Sequence, residues 1–228
     1  AARVKVLSVG EIAGRLDDRF SLLTSGSRTA VPRHQTLRAT IDWSHDLLTD
    51  PERTLFRRLS VFAGGFTLEA AQVICSNDLP PGSVLDLLGR LVDKSLVLVE
   101  PIVEQAETRY RLLETIRQYA LEKLVSAGEA PELRGRHMEF YLQLAEESET
   151  RIFGSESGEW FRRLDRELDN IRASIEWSTS TGKAELALRI LGALGYFWFA
   201  HGLSGPEWKD LTQAAWRRRQ GARRRRGA

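Results

Sequence analysis

At 228 residues the chain exceeds the usual size of one domain, so two or three compact units are expected, each with its own core. The composition, 42% hydrophobic and 28% charged, is that of an ordinary globular protein and excludes a fibrous or low-complexity chain. The net charge of +2 is unevenly spread: residues 206–228 carry +6, leaving 25 basic and 29 acidic side chains before them, a slightly acidic body poorly suited to gripping a phosphate backbone.

The chain opens on Ala1 rather than Met, and Val4 and Leu7 read as part of an amphipathic helix, which suggests a start inside a longer protein. Ser8 can cap a short helix through Ala13 to Leu16, and Thr24 to Ser27 then mark a loop ending at Pro32. From Thr36 to Leu48, residues Leu37, Ile41, Trp43, Leu47 and Leu48 fall at roughly helical spacing and predict one buried stripe. Asp50-Pro51-Glu52 supplies an N-cap acceptor, a proline at the first helical position and an acid in the first turn, so a new helix starts there, with Leu55, Leu59 and Phe62 inward.

Gly64-Gly65 ends that helix, Thr67 caps a third through Cys75, and Pro80-Pro81-Gly82 breaks the chain before Ser83 caps Val84 to Asp93. Cys75 is alone, so it forms no internal disulfide; among Ala71, Val73 and Ile74 it reads as a small core residue in a reducing compartment. Leu96 to Val99 is continuously apolar, and Thr108 to Leu112 places Tyr110 and Leu112 on one side. Together they predict a hairpin with an acidic loop. Helices followed by a two-stranded wing describe a winged helix, closed by a helix from Glu114 to Ala127 that stops at Gly128.

After Pro131 the pattern changes to long helices: Glu132 to about Ile152, Glu156 to about Trp177, and Glu185 to His201. Trp160, Leu164, Leu168, Ile171 and Ile175 form one stripe, and Leu188, Leu191, Leu194 and Trp198 another, as in antiparallel helical repeats of the tetratricopeptide (TPR-like) kind or a plain helical bundle. The apolar stretch 186–200 is too short to span a bilayer and contains Arg189, and no secretory leader is visible, so the chain reads as cytoplasmic with no membrane partner. The tail WRRRQGARRRRGA loses the helical period; a frameshifted end and an unspecific nucleic-acid arm both give that signature, the first preferred.

The run TLRATIDWSHDLLTDPERTLFRRLSVFAGGFTL (36–68), followed by LVDKSLVLVE (91–100) and YRLLETIRQYALEKL (110–124), closely resembles the winged-helix segment of bacterial STAND-type (NB-ARC) ATPase regulators. Large LuxR-type and antibiotic-regulator-type (AfsR-like) transcriptional activators belong to that group. The likeness persists in HMEFYLQLAEE and LDRELDNIRASIEW and covers about residues 1–204. It implies a mainly α chain: the end of a small helical domain (1–31), a winged-helix domain (32–128), helical repeats (129–205) and a basic tail (206–228). It also implies that ATP or ADP is held by a P-loop domain of the intact parent, on which the winged helix closes, while the repeats meet other proteins.

The residues agree that no nucleotide cofactor belongs to this chain itself. A Walker A loop needs G-x-x-x-x-G-K-[ST], whereas Gly182-Lys183 is followed by Ala184 and reads as a turn. Some relatives place the histidine of a Met-His-Asp motif on the nucleotide phosphate; Leu112, Leu113 and Glu114 stand at the matching positions, and leucine cannot donate to phosphate. Arg33 and His34, at the start of the winged helix, are the alternative nucleotide contacts in the intact parent, weighed against two solvated linker residues. His34, His45, His137 and His201 show no metal-like spacing and no catalytic set stands out, so an enzyme is not expected.

Direct DNA binding is disfavoured because VLDLLGRLVDK offers only Arg90 and Lys94 against Asp86 and Asp93. The expected role is regulatory docking, with a DNA-binding winged-helix factor and a helical-repeat scaffold as the alternatives. The predicted structural core is Leu37, Ile41, Trp43, Leu55, Phe62, Leu87, Leu91 and Tyr110.

Overall fold

A computed structural model of the chain describes residues 31–101, 108–200 and 213, with the backbone alone for 31–37 and 101. Helix α1 (Val31–Asp46) is followed by α2 (Asp50–Leu59), strand β1 (Phe66–Thr67), α3 (Leu68–Cys75), α4 (Val84–Asp93), β2 (Leu98–Pro101), β3 (Thr108–Arg111) and α5 (Glu114–Ser126). The helical segment continues as α6 (Ala130–Arg151), α7 (Ser157–Ser180), α8 (Ala184–Ala193) and α9 (Gly195–Ala200).

Helix α2 begins one residue earlier than its proline suggests. Thr49 is the N-cap, and its backbone N–H donates to Glu52 Oε2 at 2.7 Å, the return half of a capping box. Thr67 caps α3 as expected, accepting from the Ala70 amide at 3.1 Å. Ser83, expected to cap α4, instead has helical φ/ψ (−76°, −14°) and makes no cap bond.

The wing has three strands where two were expected, ordered β1-β3-β2 and antiparallel throughout. Phe66 pairs with Tyr110 and Thr67 with Arg109, while Val99 and Glu100 flank the same two residues from the other side. A strand of two residues is too short to leave an alternating signal, so β1 was invisible in the sequence.

The winged-helix arrangement is therefore present, with α3 and α4 as its helix-turn-helix pair and a helical segment after it. In that segment α6, α7 and α8 pack on one another, and α3 packs on α6, which carries the core across without a break. The long third helix expected from Glu185 to His201 ends at Ala193 and restarts at Gly195, where Gly192 and Gly195 weaken helical continuity.

Ile41, Leu55, Phe62, Leu87 and Leu91 are all buried. Tyr110 is half-buried, its ring stacked on Phe66 at 5.9 Å. Trp43 is the correction: it is 66% exposed. Ile41 and Leu48 lie on one side of the helical turn, whereas Trp43 is two residues, about 200°, beyond Ile41 and shares the outer face with exposed Leu47. The Leu37 side chain lies outside the described residues.

Candidate functional site

Two surfaces of the winged helix can act on something else: the outward face of α4, in the position that reads DNA in a helix-turn-helix, and the face that meets the helical segment. On α4, Val84, Leu87, Leu88 and Leu91 recur at helical spacing and are buried, leaving Leu85, Asp86, Gly89, Arg90 and Asp93 outward. Arg90 is thus flanked by two carboxylates.

Residues 48–125 contain nine basic and eleven acidic side chains, a net charge of −2. Most of the bases are engaged internally. Lys94 Nζ lies 2.8 Å from Glu52, a carboxylate only 2% exposed, and Arg117 makes two 2.8 Å bonds to Glu114. Arg53 pairs with Asp50, and Arg111 with Glu100 across the wing.

Arg57 and Arg58 converge on Glu129, at 2.5 and 2.7 Å. Arg58 is buried and also donates to the carbonyls of Cys75 and Asn77, so one guanidinium ties the turn before α4 to the joint between α5 and α6. Gly128, at φ +74°, supplies the left-handed residue that lets α5 end there. Burial works to raise the Glu129 pKa, but the two arginine hydrogen bonds outweigh it and hold the carboxyl below its ordinary range. Cys75 beside this turn is fully buried and its thiol is pushed up to about 12, an inert core residue.

The second surface is a buried polar junction. Arg109 on β3 points away from solvent and ion-pairs with Glu167 on α7, while its Nη2 donates to the Arg166 carbonyl at 3.2 Å. The other oxygen of Glu167 accepts from Tyr141 Oη and Asn170 Nδ2, both at 2.8 Å. Burial and the Glu167 charge push the Tyr141 hydroxyl well above its ordinary pKa, so it remains a donor.

Asn170 then reaches back to the winged helix, accepting from the Ala63 amide and donating to the Gly65 carbonyl, each at 2.9 Å. The Gly64-Gly65 turn is part of this fit. A Cβ on Gly65 would lie 3.3 Å from the Arg109 guanidinium and from the Tyr110 carbonyl oxygen. Since Asn170 Oδ1 is fixed as an acceptor by the Ala63 amide, the network assigns the His137 proton to Nε2, facing it at 3.4 Å. His137 Nδ1 faces Ser174 Oγ at 3.1 Å. Burial lowers the His137 pKa to about 4, so the ring is neutral near neutral pH.

Beside the polar network runs an aromatic column: Tyr110 on Phe66, Phe66 stacked on Phe62 at 4.6 Å, Phe62 against His137 at 5.6 Å, and His137 against Tyr141 at 4.7 Å. Rings and hydrogen bonds together couple the wing to α6 and α7. Any displacement of the wing must therefore move Arg109 against Glu167 or break their pair.

Of the residues singled out in the sequence, Arg33 and His34 fall on the backbone of α1, a helix where a linker was expected, and their side chains lie outside the described residues. Leu112 is buried, Leu113 is 44% exposed, and Glu114 is committed to Arg117. The junction residues Arg109, His137, Tyr141, Glu167 and Asn170 were not anticipated. One signal did exist: Glu167, Asn170, Ser174 and Ser178 repeat at helical spacing beside the apolar stripe of α7, and all four are buried.

A family model described as "Winged helix-turn-helix domain" matches residues 48–125. A protein of Mycobacterium tuberculosis named "Putative HTH-type transcriptional regulator" is 48% identical over 211 residues, covering 91% of this chain and 24% of that protein, and a Mycobacterium bovis protein of the same description matches equally. A second Mycobacterium tuberculosis protein, named as uncharacterized, is 46% identical over 145 residues, 63% of this chain and 36% of its own length. The chain thus spans about a quarter of the length of these two transcriptional-regulator relatives. No solved structure matches it.

Proposed function

We propose that this chain is a regulatory and docking segment of a transcriptional regulator, its winged helix working through contact with protein rather than by reading base pairs. The observation that carries the reading is the internal use of its cations: Lys94, Arg109, Arg111, Arg117, Arg57 and Arg58 are all paired with carboxylates of the same chain. Phosphate contacts supply much of the affinity for DNA, and a segment of net charge −2 whose bases are mostly paired has little to offer. Exposed Trp43 on α1 and Leu47 just after its end, four residues apart, supply instead the apolar contact that a protein partner would cover.

The parent in this reading is a STAND-type ATPase regulator. Its nucleotide-binding domain, holding ATP or ADP outside this chain, is the partner of the winged helix, and other proteins meet the helical segment. The sequence resemblance supports that parentage, and the greater length of the relatives leaves room for such domains. No catalytic step is assigned to this chain.

A second reading, a DNA-binding winged helix, is favoured by the family description and by the names of the relatives. A mobility-shift titration with duplex DNA at 50 and 200 mM salt separates the two. Docking on protein predicts weak binding that collapses as salt rises and is indifferent to Arg90→Ala. Tight binding that persists at the higher salt and is lost in Arg90→Ala would establish DNA readout instead.

A further inference from the structure

Between the winged helix and the helical segment lies a cleft of about 590 Å3. Its walls come from four places: Ser60 after α2, Glu114 and Arg117 on α5, Arg134 on α6, and Glu176 and Trp177 on α7. That volume is within the range of sites for small ligands. The charges in it are unequal in kind. Arg117 is neutralised by its bidentate pair with Glu114 and further held by the Ser60 carbonyl at 3.3 Å.

Arg134 is half-buried and, among the described residues, has neither a carboxylate within ion-pair distance nor a hydrogen-bond acceptor. A guanidinium so placed is unusual in a chain whose other inward arginines are held by acids or, at Arg136, by the Val73 carbonyl at 2.7 Å. It loses part of its hydration without gaining a partner, and an incoming anion can meet it bidentately at low desolvation cost. Trp177 forms a half-buried wall beside it, packed near Gly135, where a Cβ would lie 3.7 Å from the indole Cη2, and held from outside by Lys183 Nζ at 4.8 Å from the ring centroid.

The geometry points to this cleft as a binding site for a small anionic molecule, its carboxylate or phosphate held by the Arg134 guanidinium. Such a ligand touches α5 on one side and α6 and α7 on the other, and so stiffens the joint between winged helix and helical segment. The inference is independent of whether the winged helix meets protein or DNA.

The test is thermal unfolding of the 228-residue chain with inorganic phosphate or succinate, each against sodium chloride at matched ionic strength. At roughly ten times its Kd, a bound anion should raise the Tm by about 3–6 °C in a saturable manner. Phosphate alone, succinate alone, or both acting would each support the site and would tell which anionic group it prefers. Arg134→Gln should abolish the shift without lowering the Tm of the unliganded chain, since Arg134 holds nothing in place. Should that variant unfold, Arg134→Lys, which keeps the charge and loses the planar fork, should weaken binding about tenfold. A Tm that rises no more than in sodium chloride, or an equal rise in both variants, overturns the proposal.

Discussion

The outward face of α4 and the buried face of β3 belong to the same winged helix and use their arginines in opposite ways. Arg90 on α4 stands between Asp86 and Asp93 at the surface, where solvent and neighbouring acids leave it little to do. Arg109 on β3 is taken out of water and met by Glu167, with the Arg166 carbonyl, Tyr141 and Asn170 completing the network. A module built to read DNA would be expected to invest its cations outward. Here Arg109 holds the wing to a neighbouring helix, the kind of coupling that the docking role proposed above requires.

The largest test of that contrast removes Glu167. Glu167→Ala leaves Arg109 buried without its counter-ion and strips an acceptor from Tyr141 and Asn170, at a cost of about 3–5 kcal/mol. For a chain of this size the Tm should fall by roughly 10 °C. The double variant Arg109→Met with Glu167→Leu should recover much of the loss, because a buried pair replaced by apolar groups no longer carries the desolvation penalty. A loss below about 1 kcal/mol in the single variant would mean that the junction is held by something other than this pair.

His137 sharpens the same point through pH. Its folded pKa, lowered to about 4, lies below the ordinary value of 6.5, so the unfolded chain takes up the proton first as pH falls. The stability conferred by keeping this ring neutral is complete above pH 6.5 and is lost progressively down to pH 4. Between pH 7 and 4.5 that amounts to about 2–3 kcal/mol. Urea unfolding at both pH values should show the loss in the wild type and a clearly smaller one in His137→Gln; equal losses would place the acid sensitivity elsewhere.

Gly65→Ala is expected to be milder. The added methyl would sit 3.3 Å from Arg109 and the Tyr110 carbonyl, requiring a shift of a few tenths of an ångström in a packed junction, about 1–2 kcal/mol by denaturant unfolding. At Gly89, on the outward face of α4, an added Cβ meets nothing within 4 Å, and alanine there should be neutral or slightly stabilising. Equal effects at the two glycines would erase the distinction between the faces.

Much of the winged helix was legible because its helices carry regular stripes and strong punctuation: Thr67, the Pro80-Pro81-Gly82 break and Gly128 all mark real boundaries. The errors have physical causes. The stripe of Leu37, Ile41, Trp43, Leu47 and Leu48 is only roughly helical in spacing, and the angle of Trp43 around α1 sets it opposite Ile41. The polar junction stayed hidden because Arg109 and Glu167 are 58 residues apart and look like surface charges on their own elements. Only the tertiary fold brings them together, and a buried ion pair leaves no periodic mark in a strand of four residues.

The smallest effect on stability is expected at Trp43, and for that reason it isolates function from folding. Trp43→Ser alters a side chain that is 66% exposed on the outer face of α1, so the Tm should stay within about 1 °C of wild type. If the face it shares with Leu47 is where a partner docks, the same substitution should nevertheless weaken binding to that partner by at least tenfold, as truncating a buried aromatic anchor does. Calorimetric titration against the part of the Mycobacterium tuberculosis relative that lies outside the matched 24% of its length is the measurement. Unchanged affinity in Trp43→Ser would move the docking surface away from α1, while a large drop in Tm would show that the indole is packed after all.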